Sequence, residues 1–410
     1  MMRTAADIRR MNSFAVVRAI HANGGASRRE LVDITGLSFA TVAAICTKLL
    51  ELGVIAEVAR KRAPAGRPTA TLSLNPEHGF LLGVDIAETY VHVEAFDAAL
   101  EPISSTQYDI DTHERSPDQV VERVKSAIAA ERARHQGRAL LGVGVSAPGQ
   151  VDQVGGTSVF APNWDWHDVP LRDMLADSVD APLFLDNPLK SLAIAEMWAH
   201  PERRGQDFVV LNLGTGVGAG IAIGGRVVRG RMNSAGEWGH MVIVADGRAC
   251  RCGSRGCVEA YVGAPGILQT LREAYPDSPL LHGDDQTATI AALAAAADDG
   301  DPAALDVIER TSHYLGIATA SIVNLLNPDI VLLGSWVAEL LGKHLLDRAR
   351  THLQAHALAV PMAAVAFELQ HPRGNSVSLG SATFALEGYL DSVPDGTTDP
   401  ETTPRRRTVG

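Results

Sequence analysis

Cysteine is scarce in this chain, four in 410 residues, which excludes a small disulfide-stapled secreted scaffold. Long apolar runs are also missing. None reaches the length needed to span a bilayer, and the N-terminal MMRTAADIRRMNSF lacks the apolar core of a signal peptide. These absences predict a cytoplasmic protein in a reducing compartment, with no membrane partner. Net positive charge is lacking too, at a formal −12, but the deficit is uneven. Residues 1–80 carry eleven Lys and Arg against six Asp and Glu, while the remainder carries 25 against 42. A small basic head on a large acidic body predicts a nucleic-acid contact confined to the head. The length exceeds one hydrophobic core, so two or three domains are expected.

The head reads as residues 1–78. Ile8, Met11, Phe14, Val17 and Ile20 recur at helical spacing over 7–23, and Gly24-Gly25 ends that helix. Ser27-Arg28-Arg29-Glu30 is a capping box that opens a short second helix, closed by Thr35-Gly36-Leu37. Ser38 caps a third helix over 39–52, with Val42, Ile45, Leu49 and Leu52 inward. Cys46 lies in this helix and is expected in the core. The order of elements is that of a helix-turn-helix. Two strand-like runs, 54–60 and 69–74, flank the basic tip KRAPAGRP, which makes a wing. The third helix is expected in a major groove with Ser38, Ala40, Thr41, Ala44, Thr47 and Lys48 outward. Arg62 or Arg67 of the wing would enter a narrow minor groove, where negative potential is strongest.

Three of the four cysteines cluster in Gly236–Glu259, GEWGHMVIVADGRACRCGSRGCVE. His240 with Cys250, Cys252 and Cys257 makes a complete tetrahedral shell for Zn2+, leaving no position for water. Gly247, Gly253 and Gly256 stand between the ligands, where a chain wrapping a small ion needs positive φ. A closed shell predicts a structural metal and assigns the chemistry to its neighbours. Elsewhere in residues 79–390, strand-like runs alternate with helical ones: 80–97, 140–152, 208–230 and 327–335. That alternation predicts an α/β fold. Two hairpin-plus-helix units facing each other would give the two-lobed actin-like ATPase (ribonuclease H-like) architecture of sugar kinases.

Several motifs are specific: GRP in the wing, PGQVD at 148–152, GTGVGAG at 214–220, GEWGH at 236–240, and CRCGSRGCVE at 250–259. On these the chain resembles the ROK family (repressors, open reading frames and sugar kinases), in its DNA-binding repressor branch, over nearly the whole length. The resemblance implies structural zinc on the Cys3His set. It also implies sugar contacts at Glu237, His240 and Glu259, joined by Asn163 in APNWDW and Asn187 in LDNPLK. These residue types suit sugar hydroxyls, which donate and accept together, and a metal-bound His keeps a second nitrogen free.

A sugar kinase needs further parts. The glycine-rich loop Gly214-Thr215-Gly216-Val217-Gly218 is intact. The first phosphate loop departs: family kinases resemble D-x-G-G-T, whereas this chain has Asp85-Ile86-Ala87-Glu88-Thr89. Glu88 sets a Cβ and a negative charge where phosphate oxygens would lie. The kinase motif E-N-D-A-N, anchored on the downstream Glu196, maps onto Asp186-Asn187-Pro188-Leu189-Lys190, so Pro188 falls on the catalytic Asp. A shift of one or two residues would bring Asp186 into play instead. Loss of the general base lowers rate by roughly 10²–10⁴. Residues 391–410, with Arg405-Arg406-Arg407, are Pro/Thr/Asp-rich and read as a disordered tail. The expectation is a regulator, most simply a repressor, that binds operator DNA as a homodimer or homotetramer and senses a sugar or sugar derivative. The competing expectation is an active ATP-dependent sugar kinase with an appended DNA-binding head. Nothing in the residues separates repression from activation.

Overall fold

Helix caps and strand alternation shape the head as the residues dictate. The structure, a computed structural model, describes residues 5–58, 70–111, 115–200, 203, 205–371 and 374–392. Helices α1 (Ala5–Ala22), α2 (Arg28–Thr35) and α3 (Phe39–Glu51) are followed by the antiparallel pair β1 (Ile55–Val58) and β2 (Thr71–Leu74). At α2 the capping box closes reciprocally: Ser27 Oγ accepts from the Glu30 amide at 3.2 Å, and Glu30 Oε2 accepts from the Ser27 amide at 2.8 Å. Gly36 ends α2 at φ 69°, the left-handed conformation glycine tolerates. Val17, Ile20, Leu31, Val42, Cys46, Leu49 and Leu72 form the interior. Helix α1 forms over the expected stretch, and at its start Ile8 is exposed. The apolar stripe there runs past the end of the head's own core. The wing tip, including Arg62 and Arg67, lies outside the described residues.

The first lobe holds β3 (Phe80–Ala87), β4 (Tyr90–Asp97), β5 (Pro102–Asp109), α4 (Pro117–Arg134) and β6 (Leu140–Ser146). A small antiparallel sheet follows, β7 (Gln150–Asp152), β8 (Thr157–Ala161) and β9 (Trp166–Val169), then α5 (Leu171–Ala176) and β10 (Leu183–Asp186). The main sheet runs β10-β6-β3-β4-β5, with the β3–β4 hairpin antiparallel and β6 and β10 parallel to β3 and β6 respectively.

The second lobe repeats that design. After α6 (Pro188–Ala199) come β11 (Phe208–Leu213), β12 (Val217–Ile223) and β13 (Arg226–Val227). Helices α7 (Glu259–Val262), α8 (Ala264–Ala274), α9 (Gln286–Asp298) and α10 (Pro302–Leu326) lead to β14 (Ile330–Gly334). Then α11 (Trp336–His356) and α12 (Ala359–Ala364) precede β15 (Ala366–Leu369). The sheet order, β15-β14-β11-β12-β13, matches the first lobe strand for strand. This is the α/β, two-lobed actin-like arrangement expected.

The last helix, α13 (Ser376–Ser392), returns to the first lobe. Gly144 lets it approach: a Cβ there would lie 1.8 Å from the Ser381 carbonyl oxygen. The expected tail therefore begins later than residue 391. Tyr389 and Leu390 pack on the head's core, and Asp391 pairs with Arg10 at 3.5 Å. Residues 393–410 lie outside the described residues.

Head and body share one core. Val16, Val17 and Leu72 cluster with Leu141, Ile194, Trp198 and Leu386. The His21 ring lies 5.3 Å from Trp198, Arg18 sits 3.9 Å from Glu387, and His78 bonds the Tyr389 hydroxyl at 2.7 Å.

Candidate functional site

The loop after β13 positions two of the expected residues through glycine. At Gly236 (φ 94°) a Cβ would meet the Ala219 carbonyl oxygen at 2.0 Å, and at Gly239 the Val217 carbonyl oxygen at 2.0 Å. Both glycines let the loop press onto β12. Between them buried Trp238 donates from Nε1 to the Ala318 carbonyl at 3.1 Å. Anchored this way, Glu237 and His240 both line an interlobe cavity of about 430 Å³.

The metal donors converge as expected. The ligand atoms of His240, Cys250, Cys252 and Cys257 all lie within 4.8 Å of one another. Cys252 and Cys257 sulfurs are 3.8 Å apart, and Cys250 Sγ is 3.7 Å from His240 Nδ1. With metal–sulfur bonds of about 2.3 Å, the sulfur–sulfur edge of a tetrahedron is about 3.8 Å, so the donor set fits a small tetrahedral ion. Burial pushes the Cys250 thiol up to about 12 and raises Cys257 as well, so desolvated thiols this close need a cation to ionise. Gly253 (φ 90°) and Gly256 (φ 76°) are left-handed as predicted. Gly247 is not among the positive-φ glycines. Its role is close approach, since a Cβ would lie 2.2 Å from the Tyr261 hydroxyl.

All five expected sugar contacts line the one cavity. His240 turns Nδ1 to the sulfurs and Nε2 toward Glu237, 4.0 Å away. Burial raises the Glu237 carboxyl, opposed by Lys190 and His240. Glu259 opens α7 and accepts from the Val217 amide at 3.0 Å. Asn187 caps α6, its Oδ1 accepting from the Lys190 amide at 3.1 Å, so one half of its amide is already engaged. Asn163 donates from Nδ2 to Glu88 Oε1 at 2.8 Å, while its Oδ1 is buried with no hydrogen-bond partner among the described residues.

The phosphate-side residues divide. Gly214, Thr215 and Gly216 line the cavity. Gly218 does not: it lies in β12, where a Cβ would meet Leu189 Cδ1 at 2.5 Å, so it serves the packing of α6. Pro188 lines the cavity, but Asp186 does not. Asp186 is fully buried and accepts from Gln153 at 2.6 Å, Asn233 at 2.9 Å, the Asn187 amide at 2.9 Å and Arg229. Arg229 and Asn233 tie β10 to the loop of the second lobe, and the four donors together leave the carboxylate no free face for a substrate proton.

Glu88 and Asp85, read from the sequence only as an altered phosphate loop, line the cavity, and Arg115 and Arg251 behind Glu88 escaped sequence reasoning. Glu88 is nearly buried and held from three sides. Besides Asn163, Arg115 Nη1 lies 3.8 Å and Arg251 Nη1 3.5 Å from its Oε2. Burial pushes its carboxyl up, opposed by Arg251 and Arg115. Arg251, between two metal ligands, also donates to the Thr215 carbonyl at 2.6 Å and lies 3.6 Å from Glu259. Its place between Cys250 and Cys252 was the available signal. Asp85 lines the cavity, accepting from Tyr90 and Asn375 at 3.1 and 3.0 Å, and burial raises its carboxyl. Trp164 and Trp336 complete the apolar wall.

On α3, Ser38, Ala40, Ala44 and Thr47 are exposed, and Thr41 and Lys48 half-exposed. The Ser38 hydroxyl is occupied by capping, 3.2 Å from the Thr41 amide. Phe39, 58% exposed at the start of the helix, was passed over and is the large apolar group on that face.

Among the described residues, no helix is long and apolar enough to cross a membrane. The ROK family pattern matches residues 81–387, and a Winged helix-turn-helix DNA-binding pattern matches residues 12–56. A xylose repressor of Caldicellulosiruptor bescii is 25% identical over 394 residues, spanning 95% of this chain and 98% of that protein. A glucokinase of Halalkalibacterium halodurans is 31% identical over 286 residues, spanning 68% and 86%. The crystal structure of a ROK family transcriptional regulator, a homolog of the E. coli MLC protein, superposes with a TM-score of 0.78 at 26% identity. That likeness covers 94% of this chain and 97% of the other. With a kinase-like body and a DNA-binding head in one polypeptide, the chain belongs to the ROK family.

Proposed function

We propose that the chain is a sugar-responsive DNA-binding transcriptional repressor of the cytoplasm, whose body binds a sugar or sugar derivative without phosphorylating it. The observation that carries this reading is one cavity holding Asn163, Asn187, Glu237, His240 and Glu259, with Asn163 Oδ1 buried and unpartnered. A buried acceptor without a donor is stabilised by a ligand hydroxyl. The repressor names of relatives matched over nearly their whole length support the DNA half of the reading.

The same geometry supplies a route between effector and operator. Helix α6 starts at the cavity with Asn187 and Pro188 and ends at Trp198 against His21 of the head. A ligand that prefers one lobe arrangement then shifts the head through a rigid element and a shared core. Zinc on His240, Cys250, Cys252 and Cys257 would act structurally, holding the loop that bears Glu237 and Arg251. Two copies would present two recognition helices to one operator, as a homodimer or homotetramer.

Without a carboxylate at Pro188, and with Asp186 occupied by four donors, no residue takes the hydroxyl proton in the position a kinase uses. Two measurements test the proposal. Full-length protein bound to a selected operator duplex is challenged with xylose, glucose and N-acetylglucosamine, and one of them is expected to release it. ADP release with the same sugars is expected to stay at the blank. Turnover on the order of 1–100 s⁻¹, ordinary for kinases, would establish the enzyme reading instead.

A further inference from the structure

The cavity's charge pattern says which kind of sugar it accepts. Its described lining includes four carboxylates, Asp85, Glu88, Glu237 and Glu259, and no Lys or Arg. Its one basic side chain, His240, turns Nδ1 to the cysteine sulfurs. The Gly214–Gly216 loop would be the natural cradle for an anion, because successive backbone amides bind one well. Here that cradle is closed from within. A Cβ placed on Gly216 would lie 3.1 Å from Asn163 Nδ2, 3.7 Å from Glu259 Oε2 and 3.9 Å from Glu88 Oε1. Two carboxylates thus border the loop tip, and Arg251 is held against the Thr215 carbonyl.

We infer that the cavity selects an uncharged, unphosphorylated monosaccharide, and that Glu88 is the residue that rejects a phosphate ester. The inference rests on the sugar-sensor reading and narrows its ligand. Glu88 acts in two ways. Its side chain fills the space between Asn163 and the glycine loop, and its charge repels a phosphate dianion there. It also engages Arg115 and Arg251, the guanidiniums that would otherwise attract one. The chain thereby ties its own lobes together: Glu88 belongs to the β3–β4 turn of the first lobe, and Arg251 to the metal loop of the second.

Titration calorimetry on the full chain tests this with matched pairs, glucose against glucose 6-phosphate and N-acetylglucosamine against its 6-phosphate, with xylose as a further uncharged probe. An uncharged sugar is expected to bind, and at least tenfold more tightly than its phosphate ester. Glu88→Gln keeps the shape, removes the charge and frees both arginines, so the preference should shrink at least tenfold or reverse. Binding of an ester as tight as that of its parent sugar by the unaltered protein overturns the inference while leaving the sensor reading intact. So does an unchanged ratio in Glu88→Gln that still melts cooperatively. If neither sugars nor esters bind, both readings fall.

Discussion

Asn163 shows how much one atom says about a site. Its amide is split: Nδ2 holds Glu88, and Oδ1 faces inward with nothing to accept from. Burying an unsatisfied acceptor costs about 1–3 kcal/mol, and a bound hydroxyl would recover it. Asn163→Ala is expected to weaken effector binding by about 1 kcal/mol, roughly fivefold in Kd by calorimetry. An unchanged Kd would remove Asn163 from the contact set. Glu237, His240 and Glu259 were legible in sequence because they stand beside glycines and cysteines in a short run. Arg115 and Arg251 were not, because their role depends on Glu88, 163 positions before Arg251.

At the scale of elements, caps and glycines were the readable signals. Ser27, Gly36 and Ser38 bounded the helices of the head where the structure has them. What went unread was destination. Helix α13 is apolar enough to be buried, but only the close approach permitted by Gly144 shows that it returns to the first lobe. Helix α6 reads as another buried helix, yet its two ends touch the interlobe cavity and His21. That contact is testable by pH. Burial lowers the pKa of His21, opposed by the Ala99 backbone and by Glu101 and Asp97. The folded protein therefore binds this proton less readily than the unfolded chain. Its contribution to stability is complete above about pH 6.5, the ordinary value for His, and is lost as pH falls through the lowered value. Thermal melts between pH 7.5 and 5 should show a smaller acid-side loss in His21→Gln than in the unaltered protein. Parallel curves would show that folding leaves the His21 pKa unshifted.

For the molecule as a whole, the metal loop and the wing are the two levers. A chelator is expected to abolish the sugar-induced change in operator affinity at temperatures where the helical circular dichroism signal persists, because Arg251 and His240 lose their support before the lobes unfold. Sugar binding undiminished after metal loss, checked by calorimetry and metal analysis, would confine the cluster to stability. Arg67, outside the described residues, keeps its sequence-based expectation. Arg67→Ala should weaken operator binding and lower the salt slope by about one. Equal slopes would remove the wing from the groove.

The order of elements, the head's charge, the Cys3His donors and the departures at Glu88 and Pro188 were determined by sequence alone. Each depends on residue type and on spacing over a few turns, where chain connectivity sets geometry. Tertiary structure decided the rest: that Asp186 is locked among four donors, that Glu88 is bridged to Arg251 across the lobes, and that the head shares its core with the body. Those facts depend on approach between segments far apart in the chain. Such approach is set by packing against surfaces that no local pattern encodes.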